Sequence, residues 1–89
     1  MPLEILGDAS DNIVNQMRSA IEAAVECDEI AIDSGSPGHF AIRVVSGAFA
    51  DLSRVKQQQL IYGAIAHLMK GDGAPVHAID RLECVQPTA

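Results

Sequence analysis

The chain has 89 residues and a formal net charge of −6, with 6 lysines and arginines against 12 aspartates and glutamates. A chain of this length holds one domain, here expected to span residues 1–89 with flexible ends at 1–8 and 86–89. Because nucleic acids are bound by neutralising their phosphates with cations, the acidic balance argues against nucleic acid as the main ligand. With 2 phenylalanines, 1 tyrosine and no tryptophan, the core is expected to be aliphatic.

The first predicted element is an amphipathic helix of roughly 15 residues that ends near Cys27. Ser10 or Asp11 can cap it, because their side chains accept hydrogen bonds from the first backbone amides of a helix. Its apolar residues recur at helical spacing: Ile13, Met17, Ala20, Ile21 and Ala24.

Two strands are predicted next, over residues 29–33 and 39–46, because apolar and polar residues alternate there. The apolar residues of the second strand fall on one face: Phe40, Ile42 and Val44. Residues 34–38 have the serine, glycine and proline content of a turn. The two strands should therefore form an antiparallel hairpin.

A second helix is predicted from a cap at Ser53 to about Met69, with a separate short helical turn near residues 50–53 left open. Its predicted buried stripe contains Val55, Tyr62, Ile65 and Met69, flanked by Ile61 and Leu68. A third strand follows over residues 76–85. The order α-β-β-α-(α)-β predicts an α+β sandwich in which helices cover one face of a three-stranded sheet.

The residues near the N-terminus lack the basic and apolar segments of a secretory signal, and no apolar run is long enough to cross a bilayer. Cys27 and Cys84 lie far apart and form no Cys-x-x-Cys pair. We therefore expect a soluble, cytoplasmic protein whose cysteines are reduced, buried thiols and which does not bind membranes.

No catalytic motif is found, so the protein is not expected to be an enzyme. The chain has no phosphate-binding glycine loop and no nucleophile elbow, and no spacing argument joins Asp72 to Asp80. The two cysteines also lack the spacing of metal ligands. Any metal site would therefore need ligands from a second molecule.

His77 is the first candidate ligand. Its neighbours Val76 and Ala78 should face the core, so alternation directs His77 towards solvent or a partner. A neutral imidazole there can bind iron, zinc or copper, although a plain surface histidine gives the same pattern. His39, beside a loop of small residues, is either a second candidate or a hairpin residue with no chemical role. His67 is expected to be solvated.

Residues 53–59 form a polar start to the second helix. This face is either solvated or a docking surface, and the net charge makes a DNA-recognition helix less attractive. The candidate partner-binding residues are Arg54, Lys56, Arg43 and Arg81.

Several segments together resemble the BolA family: His39-Phe40, Val44-Val45-Ser46, Phe49, Ser53–Gln59, Tyr62-Gly63 and Val76-His77-Ala78-Ile79. The short glycine–serine loop before His39 and the string Ser-Arg-Val-Lys-x-Gln-Gln are most similar to the IbaG (YrbA) branch. The resemblance covers residues 12–82. It implies a fold related to the type II KH domain.

The resemblance also implies a non-enzymatic partner of monothiol glutaredoxins that shares a [2Fe–2S] cluster with them. The glutaredoxin cysteine and glutathione would supply thiolates, and the histidine of the Val/Ile-His-Ala motif, His77 here, would supply a nitrogen. Replacing a thiolate by imidazole should raise the reduction potential. The family's second ligand lies in the loop between the first strands, and His39 is the nearest candidate to it.

The implied role is iron–sulfur trafficking or the regulation of iron, redox or acid-stress responses. The isolated protein is expected to hold no cluster and to be a monomer or a weak homodimer. The alternative function is that of a nucleic-acid-binding transcriptional regulator that uses the KH-like fold. Acidity and the lack of a Gly-x-x-Gly clamp argue against it.

Overall fold

The computed structural model describes residues 9–71 and 73–87, with side chains from residue 12 onward. Helix α1 spans Ala9–Ala24, strand β1 Glu29–Ser34, strand β2 His39–Val45, a 3-10 helix Gly47–Asp51, helix α2 Arg54–Met69 and strand β3 Ala78–Val85. The predicted α+β order is confirmed, and the optional helical turn is the 3-10 helix. Of the expected flexible ends, residues 1–8, 88 and 89 lie outside the described residues.

The helix starts agree with the prediction in one case only. Ser53 caps α2, because its side chain accepts a hydrogen bond from the backbone N–H of Lys56. The described part of helix α1 begins at Ala9, so Ser10 and Asp11 are helical residues and the prediction that one of them precedes the helix as its cap was wrong.

The sheet has the strand order β1-β2-β3. Strands β1 and β2 are antiparallel, with Glu29 opposite Val45 and Ser34 opposite Phe40, so the predicted hairpin is confirmed. Strands β2 and β3 are parallel. The chain returns to the same end of the sheet through the 3-10 helix and α2, which is the long crossover that a parallel pair requires.

One hydrophobic core holds the helices against the sheet. Its buried members are Met17, Ile21, Val25, Phe40, Ile42, Val44, Phe49, Ile61, Ile65, Leu68 and Val76. The predicted inward face of β2 is therefore confirmed. In the described part of the chain, no helix combines the length and the apolar character needed to cross a membrane.

The predicted buried stripe of α2 was wrong at two positions. Val55 is 61% exposed and Tyr62 38% exposed, whereas Ile61 and Ile65 are fully buried. Tyr62 lies about 100° around the helix from Ile61. The observed core face instead includes Gln57, whose side-chain amide donates to the carbonyl oxygens of Phe49 and Leu52, both at 3.0 Å. These bonds to the end of the 3-10 helix explain why a polar residue lies on this side.

Candidate functional site

The parallel pairing of β2 and β3 brings two of the three histidines to one corner of the sheet. His39 is the first residue of β2 and lies opposite Ala78, the first residue of β3, and His77 directly precedes Ala78. Parallel strands begin at the same end of a sheet. Gly38, His39, His77 and Asp80 therefore form one group, which we call the histidine corner.

Gly38 holds the backbone of His77. Its carbonyl oxygen accepts hydrogen bonds from the N–H groups of His77, at 2.8 Å, and Ala78, at 3.1 Å. Gly38 has a φ of +81°, a left-handed conformation that favours glycine. A Cβ atom at this position would lie 2.8 Å from Cγ of His77. The imidazole can therefore lie against this loop only because residue 38 has no side chain.

His77 is exposed. It precedes β3 directly, next to Val76, which is only 1% exposed and belongs to the core. Val76 is fixed there by a hydrogen bond from its N–H to the carbonyl oxygen of Leu68, at 3.1 Å. His77 is therefore exposed as predicted, but β3 begins at Ala78 and not at Val76, so the prediction that His77 lies within the strand was wrong.

His39 lies beside a carboxylate. Its Nδ1 atom is 3.0 Å from Oδ1 of Asp80, and both side chains are partly exposed. The carboxylate comes from an irregular point of the sheet, because Phe40 pairs with Ile79 whereas Ala41 pairs with Arg81. Asp80 is thus the extra residue of a β-bulge.

Asp80 was missed by the sequence interpretation, although the sequence contains a signal for it. Asp80 and Arg81 are two consecutive polar residues that are both exposed, whereas strict alternation would expose only one of them. A break of this kind in a period-2 pattern indicates a bulge.

The four candidate partner-binding cations lie on two faces of the protein. Arg43 and Arg81 lie on the sheet face opposite the helices, among glutamates. Arg43 is 3.4 Å from Glu29 and 3.7 Å from Glu83, and Arg81 is 2.6 Å from Glu83. Exposed ion pairs of this kind add little stability, but they neutralise the positive charge of this face.

Arg54 and Lys56 lie instead at the exposed start of α2. Arg54 lines a shallow cavity of about 210 Å³ between α2 and β3, together with Gln57, Gln58, Leu82, Glu83, Cys84 and Val85. Glu83 lies between the two groups, because it lines this cavity and also pairs with Arg43 and Arg81.

Both cysteines are half-buried free thiols. Burial raises the pKa of the Cys84 thiol, and the positive charge of Arg54 partly opposes this effect. Burial also raises the pKa of Cys27, and the negative charges of Glu22 and Asp28 raise it further. Both thiols lie at the other end of the sheet from His39, because Cys84 is opposite Val44 and the residue after Cys27, Asp28, donates its N–H to the carbonyl oxygen of Val45.

The histidine corner can supply part of a metal site. It holds two imidazoles, and the neutral form of an imidazole is a nitrogen donor that iron, zinc and copper accept. Within residues 12–71 and 73–87, no group of three or more histidine, cysteine, aspartate or glutamate side chains is arranged to hold a metal ion. The third histidine, His67, is exposed on α2 and faces α1 near Ala20 and Ala23.

The chain belongs to the BolA family, because the model of that family, described as BolA-like protein, matches residues 13–87. Solved structures of the family show the same fold. BolA1 from Arabidopsis thaliana has a TM-score of 0.71 at 19% identity, covering 92% of this chain and 95% of its own. BolA1 from Mus musculus has a TM-score of 0.67 at 22% identity, covering 98% and 72%.

A third similar structure is the BolA domain of SufE1 from Arabidopsis thaliana. It has a TM-score of 0.67 at 26% identity, covering 82% of this chain and 90% of its own. No curated protein matched the chain.

Proposed function

We propose that this BolA-family protein is a partner of a monothiol glutaredoxin, and that the two proteins share a [2Fe–2S] cluster to which His77 contributes a nitrogen ligand. The observation that carries the proposal is the exposed imidazole of His77 on a backbone fixed by Gly38, with a second imidazole, His39, at the same corner. A ligand must be both accessible and held in place, and His77 meets both conditions.

The donor atoms fit one part of a cluster site. Iron–sulfur clusters are held by cysteine thiolates, and imidazoles replace thiolates on one iron in Rieske centres, where they raise the reduction potential. The described residues offer imidazoles at the corner, and the two half-buried thiols lie at the other end of the sheet. The thiolates therefore come from the glutaredoxin cysteine and from glutathione.

The proposed role is iron–sulfur trafficking or iron, redox or acid-stress regulation in the cytoplasm, without catalysis. The loop that carries Gly38 and the segment Ser53–Gln59 support a place in the IbaG-like branch. A nucleic-acid-binding regulator has less support. The net charge is −6, and Arg43 and Arg81 are paired with glutamates.

Reconstitution tests the proposal. The isolated protein, mixed with a monothiol glutaredoxin, glutathione, iron and sulfide, should form a coloured heterodimer whose visible circular dichroism differs from that of the glutaredoxin homodimer. His77→Ala should abolish this spectral change or leave a cluster that is lost at least about tenfold faster, as expected when a ligand is removed. His39→Ala should have a smaller or equal effect.

His67→Ala is the matched control, because it removes an exposed histidine that lies outside the corner. It should behave as the wild type, and all variants should keep the far-UV spectrum of the folded protein. If wild type forms no heterodimer with the cluster, the glutaredoxin proposal is wrong. If His77→Ala retains the wild-type spectrum, His77 is not a ligand.

A further inference from the structure

The β-bulge at Asp80 has a specific effect on β3. In a regular parallel ladder Asp80 would lie opposite Ala41 and Arg81 opposite Ile42, which is 2% exposed. Because side chains alternate between the faces of a strand, Arg81 would then point into the core. The extra residue leaves Asp80 and Arg81 both exposed and returns Leu82 to its place beside Ile42.

Bulges are rare in parallel pairs, and they are over-represented beside functional sites, where they re-aim a side chain. Here the bulge turns Arg81 outward, and the residue it inserts is Asp80, whose carboxylate reaches Nδ1 of His39 at 3.0 Å. The contact joins the bulge to the histidine corner, which lies at the start of the same two strands.

The contact determines which ring nitrogen carries the proton. An ionised carboxylate can only accept hydrogen bonds, so Nδ1 of His39 must be the donor. In a neutral imidazole the other nitrogen, Nε2, then has the free lone pair. The side chain of His39 is 41% exposed, so a partner can reach the ring.

We propose that Asp80 is a positioning residue that holds His39 in the Nδ1–H tautomer and thereby makes Nε2 available as a second nitrogen ligand beside His77. The inference rests on the proposed function, since it assigns His39 to the shared cluster. Metal-binding histidines commonly donate their other ring N–H to a carboxylate, which fixes the tautomer and ring orientation and increases the basicity of the ligand.

The competing explanation is an incidental surface pair. Exposed pairs contribute little to stability, so a stability measurement does not separate the two explanations. The tautomer of His39 separates the two explanations, because an incidental contact would leave the proton distributed over both ring nitrogens.

Long-range ¹H–¹⁵N correlation spectra of the isolated, ¹⁵N-labelled protein report this tautomer directly. The spectra are recorded at a pH well above the ordinary pKa of an imidazole. In wild type, Nδ1 of His39 should be protonated and Nε2 unprotonated. Asp80→Ala should produce a mixture of both tautomers. Asp33→Ala, which removes an exposed carboxylate from β1, should leave the wild-type pattern unchanged.

The inference is overturned if His39 of the wild type carries its proton on Nε2, or if Asp80→Ala does not change the tautomer. The same variants are then tested with glutaredoxin and glutathione. Asp80→Ala should lose the cluster about tenfold faster than the wild type, or more, the usual effect of removing a carboxylate behind a ligating histidine.

The two proposals fail in different ways. If no heterodimer with a cluster forms with the wild type, the proposed function is wrong, and the spectra of the isolated protein still test the tautomer. If the heterodimer forms and Asp80→Ala retains its cluster as long as wild type does, the glutaredoxin partnership stands and Asp80 is not a positioning residue.

Discussion

Gly38 is the residue whose conformation has the most direct effect on His77. It combines a left-handed φ of +81° with a position at which a Cβ atom would lie 2.8 Å from the imidazole. Gly71 and Gly73 have similar φ angles, +84° and +75°, but an added Cβ would meet nothing within 4 Å at either residue. Conformational strain and steric contact can therefore be separated by substitution.

Gly38→Ala should displace the imidazole of His77, whereas Gly71→Ala should not. Both variants place a Cβ in the left-handed region, at a cost of roughly 1–2 kcal/mol. Chemical denaturation should show this loss for Gly71→Ala and a larger one for Gly38→Ala, whose new Cβ also overlaps His77. Only Gly38→Ala should shift the ring resonances of His77 and weaken the proposed cluster. Equal ring shifts in the two variants would contradict the steric explanation.

For single residues, the sequence predicts the exposure of His77 next to the buried Val76, but the predicted alternation does not continue into β3, where Ile79 and not Ala78 is opposite the buried Phe40. The sequence is insufficient for the contact between His39 and Asp80. That contact depends on the register of two strands that are far apart in sequence and on a bulge that displaces the register by one residue.

For helix α2, the predicted bounds agree with the structure, but the predicted buried face does not. The cap at Ser53 and the end at Met69 agree with the prediction. The buried face is rotated, because α2 carries apolar residues on two sides. Val55 and Tyr62 occupy the solvated side and Ile61 and Ile65 the core side. Periodicity does not distinguish two apolar sides, whereas the bonds from Gln57 to Phe49 and Leu52 select one.

Alanine substitutions on the two sides should differ sharply in their effect on stability. Ile65→Ala removes a fully buried side chain and should destabilise the protein by about 2–5 kcal/mol. Val55→Ala, at a position 61% exposed, should change the free energy of unfolding by no more than about 0.5 kcal/mol. Urea denaturation measures both values. A loss of similar size for Val55→Ala would mean that the helix packs as the sequence predicted.

For the molecule as a whole, the charge distribution separates the candidate docking residues. Arg43 and Arg81 lie among glutamates on the open sheet face, whereas Arg54 and Lys56 lie at the start of α2. The pair on α2 is therefore the stronger candidate for contact with an acidic surface of the partner.

Replacing Arg54 and Lys56 by glutamate should weaken binding to the glutaredoxin by roughly tenfold, as expected from losing two exposed charge pairs. Acidic residues are favourable in the first turn of a helix, so α2 should remain folded, as circular dichroism would show. Lys56→Glu and Lys70→Glu form a matched pair of single variants with the same charge change at the two ends of α2. Equal affinities for these two would show that the start of α2 is solvated and not a docking surface.

The parallel pairing that creates the histidine corner also has a consequence for folding. His39 and His77 meet only after the long loop through the 3-10 helix and α2 has closed. Non-local parallel pairs of this kind form more slowly than helices and hairpins. A chain with α1 and the β1–β2 hairpin formed but β3 still undocked would lack the contact between Gly38 and His77. A ligand bound by the corner would therefore bind the native state alone, and by mass action it would protect the whole chain against unfolding.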